Sequence, residues 1–200
     1  NTFFNQYLFY YFDVSGHGID SALLSIFINE AIENYFKMRH NPGEMVSSQE
    51  LLDFISIQYQ KEGFPEDYLV CLFLGVLDLN NNKLSYTSAG FQFPVYRLSS
   101  GGQVDNIETG GLPLSTSLGN LPEMREEREI DLTEETTFLF STDGLLEQKH
   151  DGEMYYNKLT DTIKKYYYLP PVFLKDVIED DLIDFTGGDF GQDDITFLVL

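Results

Sequence analysis

The chain has 200 residues, 42% of them apolar and 15% aromatic, which excludes intrinsic disorder and allows one domain with a sizeable core. Against 12 Lys and Arg stand 33 Asp and Glu, a formal net charge of -21, and a surface of that sign repels phosphate backbones and anionic bilayers, so nucleic acid and membrane are not expected partners. No apolar run approaches the roughly 18 residues that cross a bilayer, and the single cysteine, Cys71, reads as a buried, inert thiol in a reducing cytoplasm.

Taken in chain order, the run YLFYYF predicts a strand over residues 7–12, ended by Asp13. From about Asp20 to Met38, Leu24, Phe27, Ile28, Ala31 and Tyr35 recur at helical spacing, and Pro42-Gly43 closes the segment. Ser47-Ser48-Gln49-Glu50 has the form of a capping box, so a second helix is expected from Ser47 to just before Gly63-Phe64-Pro65. LVCLFLGVLDL, the turn Asn80-Asn81-Asn82 and KLSYTSAG read as a hairpin whose first strand is buried on both faces.

PVYRL, Ser99-Ser100-Gly101-Gly102 and QVDNIE make a further hairpin, and MREEREIDL and TTFLFSTDG add two strands. Helices are expected over 155–168 and 171–184, the second with Pro170 and Pro171 at its start, and DDITFLVL closes the chain as a buried strand. Consecutive hairpins with helices grouped between them predict an antiparallel α+β fold rather than an alternating parallel one. With no internal repeat or low-complexity linker, residues 1–200 are expected to form a single domain.

Apolar strands in this sequence repeatedly stop or start at an aspartate: YYF-Asp13, FLFST-Asp143-Gly144, and Asp193-Asp194-ITFLVL. Each alone fits common turn or helix-cap chemistry. Together they place carboxylates at the ends of strands that are expected to be neighbours, where uncompensated like charges are unfavourable and a hard divalent cation relieves them. Zinc fits less well, because there is one Cys and His17, His40 and His150 show no ligand spacing.

Asp13-Val14-Ser15-Gly16-His17-Gly18 before a helix, the run YTSAGFQFPVYRL, the loop Gly110-Gly111-Leu112-Pro113-Leu114, STDGLLE and the final DDIT resemble, in that order, the SpoIIE/RsbU-like branch of the metal-dependent type 2C (PPM) protein serine/threonine phosphatases. The resemblance covers about residue 7 to residue 200. It implies an antiparallel β-sandwich flanked by helices in four αββα layers, and a two-metal site for Mn²⁺ or Mg²⁺ at one edge. It also implies hydrolysis of phosphoserine or phosphothreonine on a protein by a metal-activated water. Carried over residue by residue, Asp13 bridges both metals, the backbone carbonyl of Val14 binds one of them, and Asp143 and Asp193 hold the other.

The resemblance further suggests a bacterial signalling enzyme in the cytoplasm. Its substrate would be a phosphoprotein such as an anti-sigma-factor antagonist, and a sensor or receiver domain would lie upstream in the full chain. The sequence departs from the family in three places. A GGDFYD-like acidic strand does not precede Asp13, so the chain is expected to be a fragment lacking that N-terminal strand; Phe91 stands where many relatives have histidine; and His17 lies four residues after Asp13, which favours a role at the helix entrance over proton donation. Asp194 is left between supporting the site and being merely exposed. The missing acidic residue motivates a second reading, a phosphatase-fold module that binds a regulator without hydrolysing it. The 13 Tyr and 17 Phe are mostly core by type, with a homodimer face as a further use for some of them.

Overall fold

The computed structural model describes residues 5–16, 18–39, 46–119, 126–132, 136–191 and 194–200. In chain order the elements are β1 (Gln6–Val14), α1 (Ile19–Met38), α2 (Ser48–Glu62), β2 (Val70–Asp78), β3 (Lys83–Ala89), β4 (Val95–Ser99), β5 (Gln103–Ile107), β6 (Arg128–Asp131), β7 (Thr137–Ser141), α3 (Asp143–Leu146), β8 (Lys149–His150), β9 (Glu153–Met154), α4 (Tyr155–Tyr166), α5 (Pro171–Thr186) and β10 (Phe197–Val199). They divide between two units, Asn1–Phe91 with Gly110–Leu132 and Gln92–Thr109 with Thr133–Leu200.

The first unit is an antiparallel sheet of order β1-β2-β3-β6 with α1 and α2 on it. Strand β2 is buried along nearly its whole length, as its continuous apolar run predicts, and it sends its two faces into different surroundings. Val70, Leu72 and Leu74 pack with Leu24, Ile28 and Ile32 of α1 and with Leu51, Leu52, Ile55 and Tyr59 of α2. On the other face Phe73 stacks with Tyr11 at 5.3 Å and with Tyr86 at 5.4 Å between ring centroids, and Tyr11 packs on Phe91 at 4.7 Å. Burial pushes the Tyr11 hydroxyl pKa well above its ordinary value.

Register between β1 and β2 runs from Gln6 opposite Asp78 to Val14 opposite Val70. In the middle, Phe9 faces Gly75, and a Cβ built on that glycine would lie 2.3 Å from the ring's Cζ. The ring occupies the space that any other residue would fill.

Helix α2 begins where the capping box predicts: the Ser47 hydroxyl accepts from the Glu50 amide at 3.2 Å. Further orphan donors are met from far along the chain, because Glu127 Oε1 accepts from the Ser48 amide at 2.6 Å, from the Gln49 amide at 3.4 Å and from the Ser48 hydroxyl at 2.8 Å. The helix ends on Gly63 in the left-handed region, and its Tyr59 hydroxyl donates to the Tyr68 carbonyl at 2.8 Å.

The second unit carries a sheet of order β10-β7-β4-β5, the short helix α3, and the pair α4 and α5. Tyr96, Leu98 and Leu139 of the sheet share a core with Leu159 and Ile163 of α4 and with Leu174, Ile178 and Leu182 of α5. The two helices are also joined through Asp181, which accepts from the Tyr155 hydroxyl at 2.9 Å and the Thr162 hydroxyl at 2.8 Å and pairs with Lys158 at 2.8 Å. Pro171 opens α5 and Gly187, in the left-handed region, closes it.

Several expectations are revised. Strand β6 is limited to Arg128–Asp131 within the expected MREEREIDL, part of which lies outside the described residues. Strand β10 is half-buried rather than buried, because it is the edge of its sheet. Cys71 is half-buried too, at the second residue of β2, with its thiol donating to the Gly90 carbonyl at 3.4 Å. The β8–β9 ribbon turns on Asp151-Gly152, both at positive φ, and its two-residue strands are too short to give a periodic signal. None of the described helices is long and apolar enough to cross a membrane.

Candidate metal centre

In the first unit Asp13 is the penultimate residue of β1, half-buried, and opposite Cys71. Strand alternation puts it on the same face as Tyr11 and Phe9, away from the face that packs on α1 and α2. The chain leaves this strand under tight control. Ser15 donates its amide to the Leu69 carbonyl at 2.9 Å, its hydroxyl donates to the Asp67 carbonyl at 3.1 Å, and the same hydroxyl accepts from the Leu69 amide at 2.7 Å. The Val14 backbone, one residue back, is therefore fixed on both sides, by its pairing with Val70 and by these bonds.

The turn into α1 uses the glycines of the motif. Gly18 is the N-cap, at φ 83 and ψ -140, a conformation open to glycine and closed to side-chain-bearing residues. His17, assigned to the helix entrance, lies outside the described residues.

In the second unit, β7 ends at Ser141 and Asp143 opens α3, so the expected strand-end carboxylate is the first residue of a short helical turn. Asp143 is half-buried; its Oδ1 accepts from the Gly144 amide at 3.0 Å and its carbonyl from the Glu147 amide at 2.8 Å. Among the described residues no lysine, arginine or histidine forms an ion pair with it.

Asp193 lies outside the described residues, whereas Asp194 is described and exposed. The expectation of neighbouring strands holds for this part of the pattern: β7 and β10 pair antiparallel, Ser141 opposite Phe197, so the exit of β7 and the start of β10 are at the same end of the sheet. It does not hold for Asp13, whose strand belongs to the other sheet.

Two buried side chains that the sequence reading passed over hold this end of the second sheet. Thr142 donates its amide to the Thr196 carbonyl at 3.0 Å, and its hydroxyl lies 3.3 Å from the same carbonyl and 3.5 Å from that of Asp194. Gln148, 4% exposed, donates from Nε2 to the Gly144 carbonyl at 2.7 Å and accepts at Oε1 from the Gly191 amide at 2.8 Å. Thr142 sits inside the STDG motif; Gln148 had no sequence signal, since glutamine is ordinarily a surface residue.

The donor chemistry fits a hard cation. Asp13 and Asp143 are half-buried carboxylates and Val14 offers a carbonyl oxygen, the ligand types that Mg²⁺ and Mn²⁺ prefer. Asp143 in particular forms no ion pair with a cationic side chain among the described residues, so a bound cation would not have to displace one. Among the described residues no group of three or more His, Cys, Asp or Glu stands close enough to hold a metal ion, Asp193 not being one of them.

A family model described as stage II sporulation protein E (SpoIIE) matches residues 5–200. Among solved structures, the chain is similar to the SiaA-PP2C domain of Pseudomonas aeruginosa, with TM-score 0.76 and 19% identity over 98% of this chain and 80% of that one. It is also similar to the PP2C phosphatase domain, with a fragment of the regulatory domain, of the cell fate determinant SpoIIE from Bacillus subtilis, with TM-score 0.75 and 18% identity over 97% of this chain and 54% of that one. The catalytic domain of the serine threonine protein phosphatase PstP, in complex with 2 manganese ions, matches with TM-score 0.59 and 13% identity over 100% of this chain and 91% of that one. At these identities the likeness establishes the fold, the α+β antiparallel fold of type 2C phosphatases. A search of curated proteins found no significant match.

Proposed function

The chain belongs to the stage II sporulation protein E family, the SpoIIE/RsbU-like branch of the metal-dependent type 2C protein phosphatases, and is by class a phosphoprotein hydrolase; from that premise we propose that it removes phosphate from a serine of a bacterial signalling regulator. The observation that carries this reading is the family match over residues 5–200, in a chain whose Asp13 is the penultimate residue of β1 and whose Asp143 opens α3 two residues after β7 ends. An anti-sigma-factor antagonist in the cytoplasm is the substrate this reading favours. Residues 1–200 act in it as one phosphatase domain, governed by a regulatory domain upstream.

In this reading Asp13, the Val14 carbonyl, Asp143 and Asp193 hold two Mn²⁺ or Mg²⁺ ions. When bound, such a pair activates the water nucleophile and neutralises the phosphoryl oxygens. The protein's own contribution is placement. Ser15 fixes the backbone beside Val14, and Thr142 and Gln148 tie the Asp143 turn to the segment leading into β10. No Ser or Cys nucleophile is required, in keeping with a thiol at Cys71 that is engaged with the Gly90 carbonyl. The departure at Phe91 is a packing residue, its ring set against Tyr11.

The test is Mn²⁺-dependent hydrolysis of p-nitrophenyl phosphate and of a phosphoserine protein, by this chain and by a version extended upstream, each with an Asp13→Asn control. Turnover that needs both metal and Asp13 supports the phosphatase. Activity in the extended version alone assigns the remaining catalytic group to the added segment. No turnover in either, with the fold intact, replaces this reading with that of a regulator-binding module.

A further inference from the structure

Gln148 belongs to no motif of the family resemblance, yet it is the buried side chain that joins the turn carrying Asp143 to the segment at Gly191. Its carboxamide is used at both ends. Nε2 donates to the carbonyl of Gly144, the residue after Asp143, and Oε1 accepts from the Gly191 amide. Because a backbone amide can only donate, the Gly191 bond fixes which end of the carboxamide is oxygen, and the Gly144 bond follows. Gly191 itself lies beside this side chain, a Cβ there making ordinary van der Waals contact at 3.5 Å from both carboxamide heteroatoms. The Gln148 backbone is held as well, its carbonyl accepting from the Tyr155 amide at 2.9 Å at the start of α4.

We infer that Gln148 is a positioning residue for cation binding, setting the Asp143 turn against the Gly191 segment through its two-ended carboxamide. This rests on the reading of Asp143 as a metal ligand. The physical argument is that a half-buried carboxylate binds a cation well only if its backbone does not have to be ordered on binding, and groups that orient metal ligands from behind typically change affinity by about 10- to 100-fold when removed. An apolar side chain of the same length keeps the packing and leaves the Gly144 carbonyl and the Gly191 amide without their partner.

The test is Mn²⁺ binding by calorimetry to the full chain, as wild type, Gln148→Met, Asp143→Asn, and Thr162→Val as a variant that loses a hydrogen bond elsewhere in the same unit. The expected result is a loss of roughly tenfold or more in Mn²⁺ affinity for Gln148→Met, with turnover recovering at saturating Mn²⁺, while Thr162→Val keeps the wild-type affinity. Wild-type affinity in a folded Gln148→Met protein overturns the inference. So does an equal loss in Thr162→Val, which would make the effect one of general stability. If wild type and Asp143→Asn bind Mn²⁺ alike, it is the assignment of Asp143 that fails, and this inference with it.

Discussion

Glu127 Oε1 lies 2.6 Å from the Ser48 amide nitrogen and 2.8 Å from the Ser48 hydroxyl, so the lead-in to β6 caps helix α2 from 79 residues away in the chain. The same oxygen accepts from the Ser47 hydroxyl at 3.1 Å, and Ser48 passes the contact on to Thr87 of β3 at 2.9 Å. A carboxylate at a helix N-terminus is favoured by the macrodipole as well as by the orphan amide it satisfies.

Removing that cap should be felt in the first unit. Glu127→Ala is expected to lower stability by about 0.5–2 kcal/mol, the usual range for a lost N-cap. Glu127→Gln, which keeps an acceptor oxygen and loses the charge, should cost about 0.3–1 kcal/mol and do so less at high salt. Urea denaturation at two ionic strengths checks both, and equal losses for the two variants would assign the effect to side-chain packing.

The Asp181 network predicts a pH dependence. Burial alone would raise the pKa of Asp181, but the hydrogen bonds from Lys158, Thr162 and Tyr155, with the Lys158 charge, hold it below the ordinary carboxylate value. A depressed folded-state pKa adds stability that is fully present above the unfolded value of about 3.9 and is lost as the pH falls through the folded value. Wild type should therefore lose stability on acidification below about pH 4 more steeply than Asp181→Asn. At neutral pH the variant should be weaker by about 1.5–3 kcal/mol, the scale of a hydrogen bond to a charged group. Parallel acid profiles of the two proteins would contradict the assignment.

Tyr59 offers a milder test of how α2 is tied to the lead-in of β2. Its hydroxyl donates to the Tyr68 carbonyl, and burial pushes its pKa up to about 12. Tyr59→Phe keeps the packed ring and removes one buried hydrogen bond, an expected loss of about 1 kcal/mol. The midpoint of urea unfolding should fall with an unchanged slope; a changed slope would point instead to an altered denatured or native ensemble.

Cation binding should be visible without turnover. At a free concentration of about 100 times the dissociation constant, a bound ion adds roughly 2.7 kcal/mol to stability. Mn²⁺ is thus expected to raise the thermal midpoint, a chelator to reverse the rise, and Asp143→Asn to abolish it. In a chain of net charge -21 the metal-free Asp143→Asn protein should melt no lower than wild type, since it loses a like charge. A midpoint indifferent to Mn²⁺ in wild type would count against the metal centre.

Much of this architecture was legible because its signals are local. The aromatic run of β1, the helical spacing of Leu24, Phe27, Ile28 and Ala31, the continuous apolar run of β2 and the proline start of α5 each fall on the expected element. What escaped the sequence is long-range or short-lived. Periodicity carries no sign that Glu127 will meet Ser48, that Gln148 will be buried, or that Lys149–His150 and Glu153–Met154 will pair. The aspartates at strand ends were visible as a pattern, but which sheet each strand joins is decided by pairing, and it separated β1 from β7 and β10.

The empty side-chain position at Gly75 is an index mark for the strand beside it. Only one alignment of β1 sets the Phe9 ring over that notch; a slip by one residue would drive the ring onto Leu74 or Val76 and turn every side chain of β1 to the opposite face. Asp13 rides on the same strand, four residues further on. A glycine that binds nothing thus decides which side of the sheet the carboxylate faces, and an error in counting there would be read out as a lost charge at the strand's end.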